Sequence, residues 1–326
     1  VVRAVFLEYA LDFLFTMRNT DTARLIAICY HRIIEEGVTP FFNSMNNGSP
    51  GIFKQELEFI SRYGEVISAE GLADAIKKMD FGKGIKFLIT FDDGYSDLYH
   101  NAYPVLRQLK LPAAVFLTVN CVEDRHFSLW TDKIAFMIDS SGKDLIKLPG
   151  LGAFRLRSPR DRQKAKSAII EKMKSKQQDE SKAIMEDLAE CLEADGSLFP
   201  ADCYLDSVQI KEMAKNGISF GSHTCSHPIL TKITFDAAER EIRESKRKLE
   251  ALLGRQIHGF AYPNGTKKDF NEKIKDMVKQ SGYMYAFSMV SGDNIAPPGL
   301  FDRYALKRIN AGTSFDILKN NLRKFL

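Results

Sequence analysis

The sequence predicts an α/β fold, a (β/α) barrel carrying a helical insert, and three observations predict it. Strand and helix cues alternate along most of the 326 residues. Two strand-like runs end abruptly in chemistry-bearing residues, Asp92-Asp93-Gly94 and His223-Thr224-Cys225-Ser226-His227, as barrel strands do at their carboxyl ends. A hydrophobic content of 44% over this length is enough to bury a substantial core.

The elements follow in order. An apolar run at 25–29 ends in Tyr30-His31 and reads as the first strand. Periodicity then gives a helix at 53–63, a short strand at 65–68 and a helix at 70–79. Residues 85–91 (IKFLITF) are β-branched and aromatic, too short for a comfortable helix, and stopped by Asp-Asp-Gly, so they read as a buried strand. Gly94 lets the chain turn away. A helix at 96–109 and a strand at 113–118 come next. Beyond the insert the order is a strand at 218–220 closed by Gly221-Ser222, a helix at 235–253, and a strand at 257–262. A helix at 270–281, a strand at 285–290 and a strand-like run at 305–309 complete it.

Residues 121–202 break this pattern. Residues 155–182 hold ten Lys or Arg against four Asp or Glu, a local net of +6, whereas the whole chain is +4. The basic character therefore belongs to one helical insert and the rest is slightly acidic. A solvated helix face is the plain reading. The functional readings are a cover over the groove, contact with an anionic substrate such as a lipid-linked or phosphorylated glycan, or a membrane surface. Phe127 and Trp130, just ahead of the basic stretch, suit stacking on a sugar ring, though Trp130 suits the core equally.

Residues 1–24 form a separate segment, apolar but interrupted by Arg3, Glu8 and Asp12, which fits an amphipathic docking helix better than a secretory signal. The catalytic domain is expected over 25–326. No run of eighteen apolar residues exists, so no transmembrane helix of ordinary length is expected. Five scattered cysteines, an odd number, imply no disulfide framework and point to a reducing compartment. The expected location is cytoplasmic or peripheral at the membrane, with export left open because the chain begins with Val. No nucleic-acid motif is present, and the oligomeric state is not legible.

The chemistry lies in the two strand-end segments. Adjacent carboxylates such as Asp92 and Asp93 repel unless a cation sits between them or one is protonated. A metal resolves that conflict: one acid ligates, and the other takes a proton from water. His223 and His227 are four apart, but Pro228 disfavours a helix at His227, so a strand-end loop is expected. Two of the chain's six histidines thus share the acids' setting, and together they supply one divalent site with a carboxylate to spare. Cys225 between them is a weaker ligand candidate and reads better as a small buried residue.

At these residues a resemblance is plain. Thr90-Phe91-Asp92-Asp93-Gly94 and His223-Thr224-Cys225-Ser226-His227 resemble the first two motifs of the polysaccharide deacetylase family (NodB-homology, carbohydrate esterase 4), and residues 260–265 (FAYPNG) resemble its third. It spans roughly residues 25–310. It implies a distorted, incomplete barrel and a zinc ion, or Co, Ni or Mn, held by Asp93, His223 and His227. It implies Asp92 as catalytic base, the backbone N–H of Asn264 after Pro263 as oxyanion donor, and Tyr262 beside them at the substrate. The partner implied is an N-acetylated glycan or a lipid-linked saccharide, deacetylated to a free amine and acetate.

Two departures matter. Where the family's third motif usually opens with an arginine that orients the base, this chain has Ala261, and Arg308 in the run 305–309 is the candidate for the missing guanidinium. No late Leu-x-His motif supplies the general acid. Tyr30-His31 instead resembles the exopolysaccharide branch, in which the acid-histidine strand comes first, so His31 is the expected acid. His100, His126 and His258 have no comparable setting. Two other readings stand beside an N-deacetylase: hydrolysis of another amide, such as an N-formyl sugar or small ureide, and a carbohydrate-binding protein without turnover.

Overall fold

The computed structural model describes residues 23–36, 46–194, 199–200, 202–295 and 302–326. The segment expected over 1–24 lies outside the described residues except for its last two positions. Among the described residues the strands are β1 (Arg24–Tyr30), β2 (Glu65–Val66), β3 (Ile85–Asp93), β4 (Ala113–Leu117), β5 (Leu145–Leu148), β6 (Gly152–Arg155), β7 (Ile218–Ser222), β8 (Gly259–Ala261), β9 (Tyr285–Phe287), β10 (Asn294–Ile295) and β11 (Arg308–Asn310).

Seven of them run parallel in the order β11-β1-β3-β4-β7-β8-β9. A single parallel bridge from Phe287 to Leu306, just ahead of β11, brings the two ends of the row together. The sheet therefore curls into a barrel closed by one bridge, the distorted and incomplete (β/α) barrel expected. β2 lies along the start of β3, and β10 pairs antiparallel with the start of β1.

Strand alternation sorts side chains between two layers. On β1 and β3, Ile26, Ile28, Tyr30, Phe87, Ile89 and Phe91 face outward into the helix-covered core. Leu25, Ala27 and Leu88 face inward with Phe116, Ala261 and Phe287. The helix Ala69–Lys78, capped by Ser68, plugs the amino end of the barrel with Leu72, Ala73 and Ile76. With that end plugged, the carboxyl ends remain for chemistry, and the inward parity of β1 and β3 continues upward into Cys29 and His31 and into Thr90 and Asp92.

One outward group carries a stability prediction. Glu56, on the helix Pro50–Tyr63, is fully buried and accepts from the Tyr30 hydroxyl at 3.0 Å, while its Oε1 has no partner among the described residues. Burial pushes its pKa from 4.5 up to about 8, against the opposing Tyr30 hydrogen bond. A carboxyl with a raised native pKa holds its proton longer folded than unfolded. Its contribution is therefore present below pH 4.5 and is lost as pH rises toward 8. Glu56→Gln is expected to remove that decline, adding about 2–4 kcal/mol at pH 8 and little at pH 4.5. Urea unfolding at the two pH values measures it, and an equal effect at both would contradict it.

The insert is more than helices. Trp130–Ser140, Pro159–Lys174 and Gln178–Leu192 surround a core of their own that includes Ile134, Ile138, Ile169 and Leu188. They carry a β5–β6 hairpin that the sequence reading did not anticipate. A Ser158–Asp161 capping box starts the second helix, and Lys166 pairs with Asp139 at 2.8 Å to tie it to the first. Elsewhere the expected helix at 96–109 divides into a π-helical turn, Leu98–Ala102, and an α-helix, Tyr103–Leu109. Pro104 has no N–H to continue a regular ladder through that junction. Helices Ser207–Lys215 and Phe315–Leu322 were also unanticipated. The five cysteines are free, and no helix among the described residues is long and apolar enough to cross a membrane.

Candidate active site

The two acids leave the end of β3 in different directions. Asp92 keeps the inward parity, and Asp93 turns to φ 72°, a left-handed conformation uncommon for a residue with a side chain. Gly94 follows at φ 86°, where a Cβ would stand 2.6 Å from Leu117, so the turn requires glycine. The histidine segment is a loop, as Pro228 predicts, with Thr224 at φ 69° and His227 at φ 60°. Asn264 is at φ 57°. Four side-chain-bearing residues in strained backbone thus gather at one end of the barrel, each conformation costing about 1–3 kcal/mol.

Glu241, on the helix Phe235–Leu253, holds the histidine loop in place. Its carboxylate accepts from the backbone N–H groups of Cys225 at 2.8 Å and Ser226 at 2.9 Å, and from the Ser226 hydroxyl at 2.6 Å. Cys225 is buried, its thiol pKa pushed up to about 12 by that burial and by Glu241. It stands outside the Asp93, His223 and His227 cluster, so it is not a third ligand.

Asp93, His223 and His227 bring one donor atom each to within 4.8 Å of one another. Asp93 Oδ1 lies 3.6 Å from His223 Nε2 and 3.5 Å from His227 Nε2, too far for good hydrogen bonds and near enough to share a cation. His223 Nδ1 donates to the Ala261 carbonyl at 2.8 Å, which leaves Nε2 with its lone pair facing Asp93. Burial lowers both imidazole pKa values, that of His227 strongly, so both present neutral donors. Burial, then the adjacent Asp92 charge, pushes the Asp93 carboxyl well up, and its Oδ1 has no hydrogen-bond partner among the described residues. An orphaned buried carboxylate oxygen facing two imidazole lone pairs is satisfied by a divalent cation. The residues fit a metal.

Asp92 is held differently. Arg308 forks it, Nη1 to Oδ1 at 2.7 Å and Nη2 to Oδ2 at 2.6 Å, with both side chains buried. The guanidinium also donates through Nε to the Ser288 carbonyl at 3.1 Å and stands 6.0 and 5.7 Å from the Phe116 and Phe287 ring centroids. Ala261, with only a methyl group, shares that cluster. The arginine that orients the carboxylate enters from β11 where the third motif lacks one. Burial works to raise the Asp92 pKa, and Arg308 outweighs it, holding the carboxyl well below the usual range.

His31, Cys29 and Asp92 also converge, their polar atoms within 4.8 Å of one another. Asn47 accepts from the His31 backbone N–H at 2.6 Å and donates to the Gly312 carbonyl at 2.9 Å, joining the end of β1 to the chain after β11. Burial lowers the His31 pKa to about 4, with the Asp92 charge opposing. Cys29 Sγ stands 3.6 Å from Asp92 Oδ2, and burial raises its pKa so that it stays a thiol. Sequence reasoning missed Cys29, although residues two apart on a strand share a face, so its pairing with His31 was there to be read. Nothing local marks Asn47 or Glu241.

Tyr262 requires a correction. Its ring is fully buried and stacked on Phe270, its hydroxyl donates to the Tyr304 carbonyl at 2.8 Å, and its N–H to the Phe287 carbonyl at 3.0 Å. It braces the third-motif loop from behind and presents no group to a ligand. After Pro263, Asn264 is half-buried, and its N–H has no acceptor among the described residues. Trp130 and Phe127 line a cleft of about 270 Å³ that His227 also lines. His258 precedes β8 at the opposite, amino end of the barrel, and His100 and His126 are exposed.

A curled parallel barrel with a three-donor cluster, an arginine-forked carboxylate and a histidine at its carboxyl ends has the construction of a hydrolase. Residues 82–286 match the family model described as polysaccharide deacetylase, and the chain belongs to the polysaccharide deacetylase family. The Bacillus subtilis (strain 168) protein YxkH is 22% identical over 222 residues, 68% of this chain. The chain spans about half the length of that curated relative, 50%. Among solved structures, the Streptococcus pyogenes deacetylase PplD in complex with acetate is 19% identical, with a TM-score of 0.59 over 92% of this chain and 97% of its own. A de-N-acetylase from Aggregatibacter actinomycetemcomitans is 16% identical, with a TM-score of 0.57 over 92% and 100%. IcaB from Ammonifex degensii is 18% identical, with a TM-score of 0.53 over 87% and 90%. These likenesses show the shared fold.

Proposed function

We propose that the protein is a metal-dependent N-deacetylase that hydrolyses the acetamide of an N-acetylated glycan. The observation that carries this reading is the fork of Arg308 on Asp92 beside the Asp93, His223 and His227 cluster. A protein that only held a metal or a sugar would have no need of a second, buried, ion-paired carboxylate there. When bound by those three residues, a divalent ion supplies Lewis acidity to the amide carbonyl and acidifies water.

The chain's own residues do the rest. Asp92, kept ionised by Arg308, accepts the proton of the attacking water. The Asn264 N–H is free to donate to the developing oxyanion. His31 is neutral at rest, since burial sets its pKa near 4. Its polar atoms lie within 4.8 Å of those of Asp92, so a proton taken by the carboxylate can pass to the imidazole and on to the leaving nitrogen. The binding-only reading rests on Ala261 and the missing late histidine; the Arg308 fork on Asp92 and the convergence of His31 on Asp92 support the catalytic reading instead.

Acetate release from N-acetylglucosamine oligomers and polymers by zinc-loaded protein, beside a chelated sample, tests the proposal. Release abolished by chelation is expected; release that survives chelation would sink it. Metal binding is also read without turnover. One equivalent of zinc is expected to stabilise the protein by about 3–4 kcal/mol when free metal is several hundred times the dissociation constant. His227→Ala is expected to erase that thermal shift, and a shift that persisted would remove His227 from the ligand set.

A further inference from the structure

The cleft beside His227 is walled on one side by the loop after the second motif and on the other by the insert helices Pro159–Lys174 and Gln178–Leu192. Four lysines line it, Lys133, Lys176, Lys182 and Lys232, and no Asp or Glu does. Phe127 and Trp130 form the aromatic part of an apolar wall that Met173, Met185 and Ile229 extend. The lysines are only partly committed to the fold. Lys176 pairs with Glu180 at 2.9 Å, Lys232 donates to the Ser175 carbonyl at 3.3 Å, and Lys133 stands 5.9 Å over the Phe127 ring. Glu180 lies outside the lining, engaged by Lys176. The Lys232–Ser175 contact also fixes the insert against the barrel, so the cleft is a built feature between the two.

Resting on the deacetylase reading, we propose that this cleft binds an anionic oxyacid group, a phosphoester, carried by the sugar whose acetamide is cleaved. Four lysines around one concavity with no acidic residue in its lining attract an anion and repel cationic ligands. The aromatic wall accepts the apolar face of a sugar or an alkyl ester in the same space. His227 belongs to both the cleft and the donor cluster, so an anion seated there places its attached sugar at the reacting end. A neutral glycan would use the aromatic wall and leave the lysines without an anionic ligand, Lys176 alone of the four being ion-paired among the described residues.

Trp130 is the chain's single tryptophan and lines the cleft, so its fluorescence reports occupancy directly. The zinc-loaded protein is titrated with methyl N-acetylglucosaminide, with N-acetylglucosamine 1-(methyl phosphate), and with the dodecyl ester of the same phosphate. The expected result is at least about tenfold tighter binding of both phosphoesters than of the neutral glycoside, weakening as salt rises. Lys176→Ala and Lys182→Ala are each expected to weaken phosphoester binding about fivefold and leave neutral-sugar binding unchanged. A further gain for the dodecyl ester alone assigns the apolar wall to a lipid chain; equal binding of the two esters assigns the cleft to the phosphate itself. Equal affinity for phosphoester and neutral sugar, or no effect of either lysine variant, overturns the inference. Acetate release run in parallel separates the two ideas. Phosphoester binding without acetate release defeats the deacetylase reading and leaves the anion site standing, whereas release without phosphoester preference does the reverse.

Discussion

Asp92→Asn is expected to lower acetate release by about 10²- to 10⁴-fold while zinc remains bound. The amide has the shape of the carboxylate but cannot take a proton from water at any working pH. The metal donors lie on Asp93, His223 and His227, and none is touched by the change. The substitution also turns an NH₂ group toward the guanidinium, so one of the two fork hydrogen bonds is lost and stability falls by about 1–3 kcal/mol. Steady-state acetate release and zinc content, measured on the same preparation, decide it. Activity within tenfold of the parent would remove Asp92 as base, and loss of zinc with activity would make it a ligand instead.

Arg308→Met is the second large effect, and it reaches both stability and pH dependence. It strands a buried carboxylate with Cys29 as its remaining hydrogen-bond donor, a loss of about 3–5 kcal/mol at neutral pH. The sign follows from the depressed pKa of Asp92. The ion pair stabilises the fold above the unfolded carboxylate pKa of 3.8, and that contribution is lost as pH falls through the lower native value. Without Arg308, burial alone governs the carboxyl and its pKa rises, so the acidic limb of the activity profile moves to higher pH. Arg308→Lys keeps the charge but cannot fork, and is expected to fall between parent and Met. Urea unfolding at pH 7 and kcat/KM from pH 5 to 9 check both halves. An unchanged acidic limb in the Met variant would mean that Arg308 does not set the state of Asp92.

The barrel and the metal cluster were legible because their signals are local. A β-branched run stopped by Asp-Asp-Gly, or a paired-histidine loop closed by Pro228, carries its own geometry within a few residues. Arg308 could be named only as a candidate, since its partner lies 216 positions away and the parity that aims it inward depends on β11 being laid beside β1. Tyr262 was misassigned for a related reason: a motif fixes where a backbone passes and leaves open which side chains turn away from the ligand. Glu241 acts through three hydrogen bonds from a helix whose sequence marks only its amphipathic face. The β5–β6 hairpin alternates over just four residues per strand, amid a basic helical stretch that dominates the local pattern.

The order in which the site's parts occur along the chain has a consequence for its biosynthesis. During translation His31, Asp92, Asp93, His223 and His227 all emerge well before Arg308, and β11 is the last strand of the barrel to be made. A nascent chain can therefore bring Asp93, His223 and His227 together, but the Asp92 carboxylate has no guanidinium partner until β11 has left the ribosome and docked beside β1. A chain truncated before β11 would keep Asp93, His223 and His227 together but lack the guanidinium that forks Asp92.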